Sequence, residues 1–171
     1  MSYPLVISKA DMIVEGEISE VSSFAYEYKF HVKEHIKGQS DQNIVINMWK
    51  EWTCDHRIQR PKKGQRLLLF LKERDNREYE IINGSTGELF ITENDSVKTF
   101  GRHDLPVLNE LKCGIEMFSH CYEYCGDLYS SYKEKTYFLR KEEQSEIEKI
   151  MNENAFFKSM VLRIKPSIMD D

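Results

Sequence analysis

The chain has 171 residues, 40% hydrophobic and 31% charged, with a formal net charge of −5 and a pI near 5.6. This composition supports a folded core and excludes a disordered chain, and the acidic balance argues against general nucleic-acid binding. No apolar run approaches the ~18–20 residues that cross a membrane, and "MSYPLVISKADMIVEG" lacks the basic and apolar regions of a signal peptide, so a cytoplasmic protein is expected, periplasmic or secreted only if a leader has been removed.

From Met12 to Thr92 the sequence repeats with period two. "MIVEGEISEV" puts Met12, Val14 and Ile18 on one side of a strand, with Gly16 where a bulge or strong coil fits. Next, Phe24, Tyr26, Tyr28, Phe30 and Val32 alternate with Ala25, Glu27, Lys29, His31 and Lys33. Alternate side chains of a strand point to opposite faces, so an aromatic inner face and a charged outer face are predicted.

Within this strand, "HVKEH" (His31–His35) spells H-x-x-E-H, a zinc-peptidase signature that works only on a helix. On a strand the two histidines lie about 13 Å apart at ~3.3 Å per residue. A single zinc ion needs its ligand nitrogens at about 2.0–2.1 Å. The peptidase reading therefore fails on geometry.

"QNIVINMW" is a third strand, and "QRLLLFLKE" a fourth that is apolar on both faces, as a strand covered from outside would be. "REYEIIN" and "GELFIT" flank "NGSTG" and are predicted to form a hairpin. Five or six antiparallel strands in this span suggest a small closed barrel.

After residue 100 the period changes. Leu108, Leu111, Ile115, Phe118, Tyr122 and Cys125 recur at helical spacing, with Asp104 as N-cap, Pro106 in the first turn and Gly126 as the stop. "KEEQSEIEKIMNE" predicts a second helix with Ile147, Ile150 and Met151 as its apolar stripe. In the tail, Phe157, Met160, Val161 and Ile164 fit a helix, whereas Met160, Leu162 and Ile164 fit a strand. The expected class is α+β: an antiparallel barrel over 1–100, then a two-helix extension over 101–171 packed on it.

"ADMIVEGEISEV", "YKFHVKEHIKG", "RPKKGQRLLLFL" and "YEIINGSTGELFI" together resemble the netrin-like, or tissue-inhibitor-of-metalloproteinase-like, version of the OB barrel, a pattern also found in uncharacterised bacterial proteins. The resemblance covers residues 10–92. It implies a non-catalytic module that binds another protein. The inhibitors of that family chelate a protease zinc through an N-terminal cysteine. This sequence opens Met1-Ser2 and has no cysteine before Cys54, so that mechanism is not expected here.

Three residue groups are candidate sites. Cys113, His120, Cys121 and Cys125, with Cys54 and His56 as contributors, are the densest soft ligands, but only one paired element of zinc-site spacing is present. Buried thiols are the expected reading, with disulfides or a metal as alternatives and no cofactor expected. "RIQRPKKGQR" gathers Arg57, Arg60, Lys62, Lys63 and Arg66, a solvated basic loop or a single-strand nucleic-acid contact of the kind OB barrels make. Trp49 and Trp52 stand just upstream, as a protein contact or as a cap on the barrel.

Partner binding is assigned to Trp49, Trp52, Arg57, Arg60, Lys62 and Lys63. No catalytic motif is present. The acidic stretch "KEEQSEIEKIMNEN" and the net charge suit a basic partner, such as an enzyme or toxin blocked by an inhibitor or immunity-type protein. The alternatives are a single-stranded nucleic-acid binder and an extracytoplasmic disulfide-containing domain.

Overall fold

A computed structural model describes residues 1–74, 78–101, 105–126, 137–165 and 168–169. Strands β1 (Met12–Ser22), β2 (Glu27–Lys37), β3 (Asn43–Asn47), β4 (Arg66–Glu73) and β5 (Glu78–Ile81) lie in the order β1-β2-β3-β5-β4. β4 pairs back onto β1, Met12 against Leu71 through Glu17 against Arg66, which closes a five-stranded barrel.

β3 and β5 run parallel, so the wholly antiparallel barrel expected from sequence is corrected to a mixed one. The cause is the connection over residues 48–65. It brings β4 beside β1 instead of β3, and β5, antiparallel to β4, then returns alongside β3 in the same direction.

The alternation of β2 ends sooner than the sequence pattern does. Tyr28, Phe30 and Val32 are buried, but Phe24 is 105% exposed and Tyr26 43% exposed, in the turn between β1 and β2. Tyr26 has a φ of 57° and reverses the chain there. Gly16 does mark a bulge: the β1–β2 register slips between Glu15 and Gly16. A Cβ at Gly16 would lie 2.1 Å from the His31 carbonyl oxygen, so only glycine lets the strands approach so closely.

The predicted hairpin around "NGSTG" is also corrected. β5 and β6 (Glu88–Ile91) do not pair with each other; both pair antiparallel with β4, β5 along Leu71–Glu73 and β6 along Leu67–Leu69. They are two halves of one line, interrupted by an excursion containing a 3-10 turn at Gly84–Thr86. Phe70 bridges the gap: its N–H donates to Gly87 O (2.9 Å), and its carbonyl accepts from Ile82 N (3.0 Å). β7 (Val97–Lys98) extends the sheet beyond β6.

β4 is apolar on both faces because it separates two cores. Leu67, Leu69 and Leu71 point into the barrel with Val14, Ile18, Tyr28, Phe30 and Ile46. Leu68 and Phe70 point outward to Ile13, Leu89 and the helices. Among the described residues the outer layer holds four helices, three of them beyond residue 100 where two were expected: α1 (Tyr3–Lys9), α2 (Leu108–Cys121), α3 (Gln144–Glu153) and α4 (Ala155–Ile164).

α2 begins after Val107, beyond Pro106, and stops at Cys121; Asp104 lies outside the described residues. Tyr122–Cys125 leaves the helix as β8, in a small second sheet with β9 (Tyr137–Arg140) and β10 (Ile168–Met169). Buried Tyr122 and half-buried Tyr124 flank exposed Glu123, so the period-two pattern of a strand overlaps the helical one there. The tail is helical, and Phe157, Met160, Val161 and Ile164 are its buried face.

Asn154 joins α4 to α2. Its side-chain oxygen accepts from Phe157 N (2.7 Å), capping α4, while its Nδ2 donates to the Glu110 carbonyl (3.0 Å). Among the described residues no helix is long and apolar enough to cross a membrane.

Candidate functional site

The 48–65 connection is long, polar and tethered at several points. Met48 N donates to Tyr26 O (3.0 Å) as the chain leaves β3. Trp52 and Asp55 then close a tight turn on each other's backbone, at 2.9 and 3.2 Å. Arg57 N donates to Glu51 Oε1 (2.7 Å). At the far end, Gly64 N donates to Ile18 O (2.7 Å), and Ile18 N to Gln65 O (3.0 Å).

The central tether is Glu88, at the start of β6. Its carboxylate accepts from Trp49 Nε1 at 2.6 Å and from Arg57 Nε at 2.9 and 3.2 Å. The Arg57 guanidinium also stacks on Trp49, 4.3 Å from the ring centroid. The side chains of Arg57 and Glu88 are only 5% and 3% exposed.

Burial pushes the Glu88 carboxyl above its usual range, against the opposing pull of Arg57 and the Trp49 hydrogen bond. Tyr28 reaches the same place from inside the barrel, and its phenol is raised by burial and by the Glu88 charge. Tyr28 Oη and Arg57 Nη2 are buried without a hydrogen-bond partner among the described residues.

The β5–β6 excursion locks onto this loop. Gly84 has a φ of 57°, and a Cβ there would meet Asp55 Oδ2 at 2.2 Å. Ser85 N donates to the same oxygen (3.4 Å), and Thr99 Oγ1 donates to Ser85 O. "NGSTG" therefore serves as a socket for the loop.

The predicted partner-binding residues thus separate into two groups. Trp49 and Arg57 are spent on the buried cluster. Trp52 is 69% exposed, and Arg60, Lys62 and Lys63 are exposed with it. Ile58, Phe24 and Tyr26 are exposed apolar neighbours in the same loop and the adjoining turn, and Phe100 packs edge-on to His56 at 5.3 Å.

Glu88, Asp55 and Ser85 were missed by sequence reasoning. A signal existed for Glu88: it pairs with inward-facing Leu69, so in "GELFI" it shares the barrel-facing side with Phe90.

The other candidates remain dispersed. Cys54 and His56 lie on the loop, whereas Cys113, His120, Cys121 and Cys125 lie on α2 and β8. All four cysteines are free thiols. Burial lifts the Cys121 thiol to about 11, and Cys113 Sγ contacts Met117 Sδ at 3.8 Å. His120 instead faces Glu142 at 3.0 Å. Among the described residues no three of His, Cys, Asp and Glu gather to hold a metal.

His31 and His35 are both on β2, with separate partners: His31 Nδ1 meets Asn43 Oδ1 (3.0 Å), and His35 Nε2 meets Ser40 Oγ (3.0 Å). On the outer strand face Lys29 pairs with Glu20 (2.7 Å) and Lys33 with Glu17 (2.6 Å). Arg66 leaves the basic loop for a second network. It bonds Glu15 (3.0 Å) and Asp95 (2.7 Å), while Lys112 of α2 bonds Glu15 (2.8 Å) and Glu34 (2.6 Å).

No protein-family model and no curated protein matches the chain. The class defined by fold and site is an α+β protein in which a closed five-stranded β-barrel carries a tethered aromatic and basic loop.

Proposed function

We propose that this protein is a non-catalytic protein-binding module on an OB-like, netrin-like barrel, which meets its partner through the 48–65 loop. The strand order β1-β2-β3-β5-β4, returning to β1, supports the OB-like reading. One observation carries the functional reading: Trp52 is 69% exposed on a loop whose base is fixed by a buried ion pair. A large aromatic held out from a rigid base buries much area on binding and loses little conformational entropy.

Exposed Lys50, Arg60, Lys62 and Lys63 give this rim a basic character, so it suits an apolar partner pocket ringed by carboxylates. A second reading rests on α3, where exposed Glu146, Glu148 and Glu153 outnumber Lys149 and fit a basic enzyme, the inhibitor or immunity form of the same function. The single-stranded nucleic-acid reading is less well supported. Lys29 and Lys33 are paired with carboxylates, and Tyr28 and Phe30 are buried away from any base.

The test is to capture partners from native lysate and titrate each against wild type, Trp52→Ala and a Glu146→Lys/Glu148→Lys variant. Loss of about tenfold or more in affinity with Trp52→Ala alone supports the loop, since buried aromatic anchors contribute about 2 kcal/mol or more. Loss with the α3 variant alone moves the contact to the acidic helix. Oligonucleotide binding with a steep salt dependence would replace both readings.

A further inference from the structure

The turn between β1 and β2 stands at the same end of the barrel as both ends of the 48–65 connection. Ser22 of β1 faces Glu27 of β2, Glu27 faces Asn47 of β3, and Arg66 of β4 faces Glu17 of β1. Phe24 in this turn is 105% exposed, so no other described residue shields its ring. The turn is nevertheless well held. Ser22 Oγ accepts from Ala25 N (3.2 Å), Tyr26 O accepts from Met48 N (3.0 Å), and Tyr26 Oη donates to Trp49 O (3.3 Å). Phe24 therefore shares a base with Trp52, because Trp49 is also the residue that Glu88 fixes.

Chain length bounds the distance between the two rings. Phe24 is two positions from Tyr26, and Trp52 four from Met48. At ~3.6 Å per fully extended residue and ~5.5 Å across a hydrogen-bonded backbone pair, their Cα atoms lie at most about 27 Å apart. A standard interface of ~800 Å² per partner is about 30 Å across, so one interface spans both.

We infer that Phe24 is a second anchor of the loop's interface, and that the partner is a protein face with two apolar pockets set among carboxylates. This rests on the loop reading above and extends it to the β1–β2 turn. Charge selects the partner. Among the exposed residues of the connection, Lys50, Arg60, Lys62 and Lys63 stand against Glu51 alone. Glu51 is already engaged: Oε1 accepts from Arg57 N (2.7 Å), and Oε2 lies 3.9 Å from Arg57 Nη1. An anionic bilayer or an oligonucleotide presents the same charge to Glu20, Glu27 and Glu51 as to the four cations. A protein face places its carboxylates only where the cations stand.

The test pans phage displaying random 16-residue peptides against the full chain, then titrates the enriched peptides against wild type and variants. Enriched sequences should combine large apolar residues with Asp and Glu. Phe24→Ala and Trp52→Ala should each weaken them about tenfold, and Phe24→Leu less than threefold. Unfolding midpoints should match wild type, because both rings are exposed. Weakening by Trp52→Ala alone overturns the second anchor and leaves the loop reading standing. Weakening by neither, or no enrichment over an unrelated protein, overturns both. Neutral or basic peptides overturn the acidic face. Self-association, or sedimentation with phosphatidylcholine–phosphatidylglycerol vesicles, that is lost with Phe24→Ala would replace this partner with a second copy or a bilayer.

Discussion

Two carboxylates fasten separate segments to the barrel, and their chemistry differs because their cationic partners differ in number and exposure. Glu88 holds the 48–65 loop through Arg57 and Trp49, with both charged side chains at most 5% exposed. Glu15 holds α2 through Lys112 and also takes Arg66, whose side chain is 30% exposed. Burial raises the Glu88 carboxyl above its usual range and is only partly offset by Arg57. At Glu15 burial also acts upward, but hydrogen bonds from Lys112 and Arg66 outweigh it and hold the carboxyl low. The Glu88 cluster is thus a costly pin that gives the loop a fixed geometry, whereas the Glu15 cluster is a net electrostatic stabiliser.

Removing each carboxylate breaks this comparison most directly. Glu88→Ala strands the buried Arg57 charge and the Trp49 N–H and should cost about 3–5 kcal/mol in denaturant unfolding. Glu15→Ala leaves cations that water can reach and should cost about 1–2 kcal/mol in the same measurement. Equal losses would remove the distinction between them.

Acid sharpens the contrast, because the two groups act with opposite sign. Glu15 titrates below its unfolded value of about 4.5, so its contribution is complete above that pH and fades as pH falls through the depressed value. Glu88 titrates above 4.5, so the native state takes up its proton first, and the cost of its buried charge is relieved as pH falls through the raised value. In unfolding curves collected from neutral pH into the acid range, the gap between wild type and Glu15→Gln should therefore narrow below about pH 4.5.

The smallest expected effect is Tyr28→Phe. It removes a buried hydroxyl that has no partner among the described residues and should leave stability unchanged or raise it by up to about 1 kcal/mol, read as a small rise in the unfolding midpoint.

How much was legible in the sequence follows from the range of the forces involved. The inward face of β2 and the two apolar faces of β4 are local burial patterns, and both were readable. The strand predicted for the H-x-x-E-H spelling is also present, with His31 and His35 both on β2. Phe24 and Tyr26 misled because the alternation continues through a turn, which only the positive φ of Tyr26 reveals. "NGSTG" has hairpin composition, yet its purpose is set by Asp55, a residue far away in sequence. The parallel β3–β5 pair and the Glu88–Arg57 contact depend likewise on how the 48–65 connection crosses the barrel, and no local period encodes that path.

Native-state amide exchange at Trp52, Asp55 and Arg57, in wild type and in Glu88→Ala, tests the pin most directly. The account predicts protected amides in wild type and at least tenfold faster exchange in the variant at these three positions, beyond any change at Tyr28 and Phe30 of β2 (about 1.4 kcal/mol of local opening). Unprotected loop amides in wild type, or acceleration no greater than in β2, would contradict it.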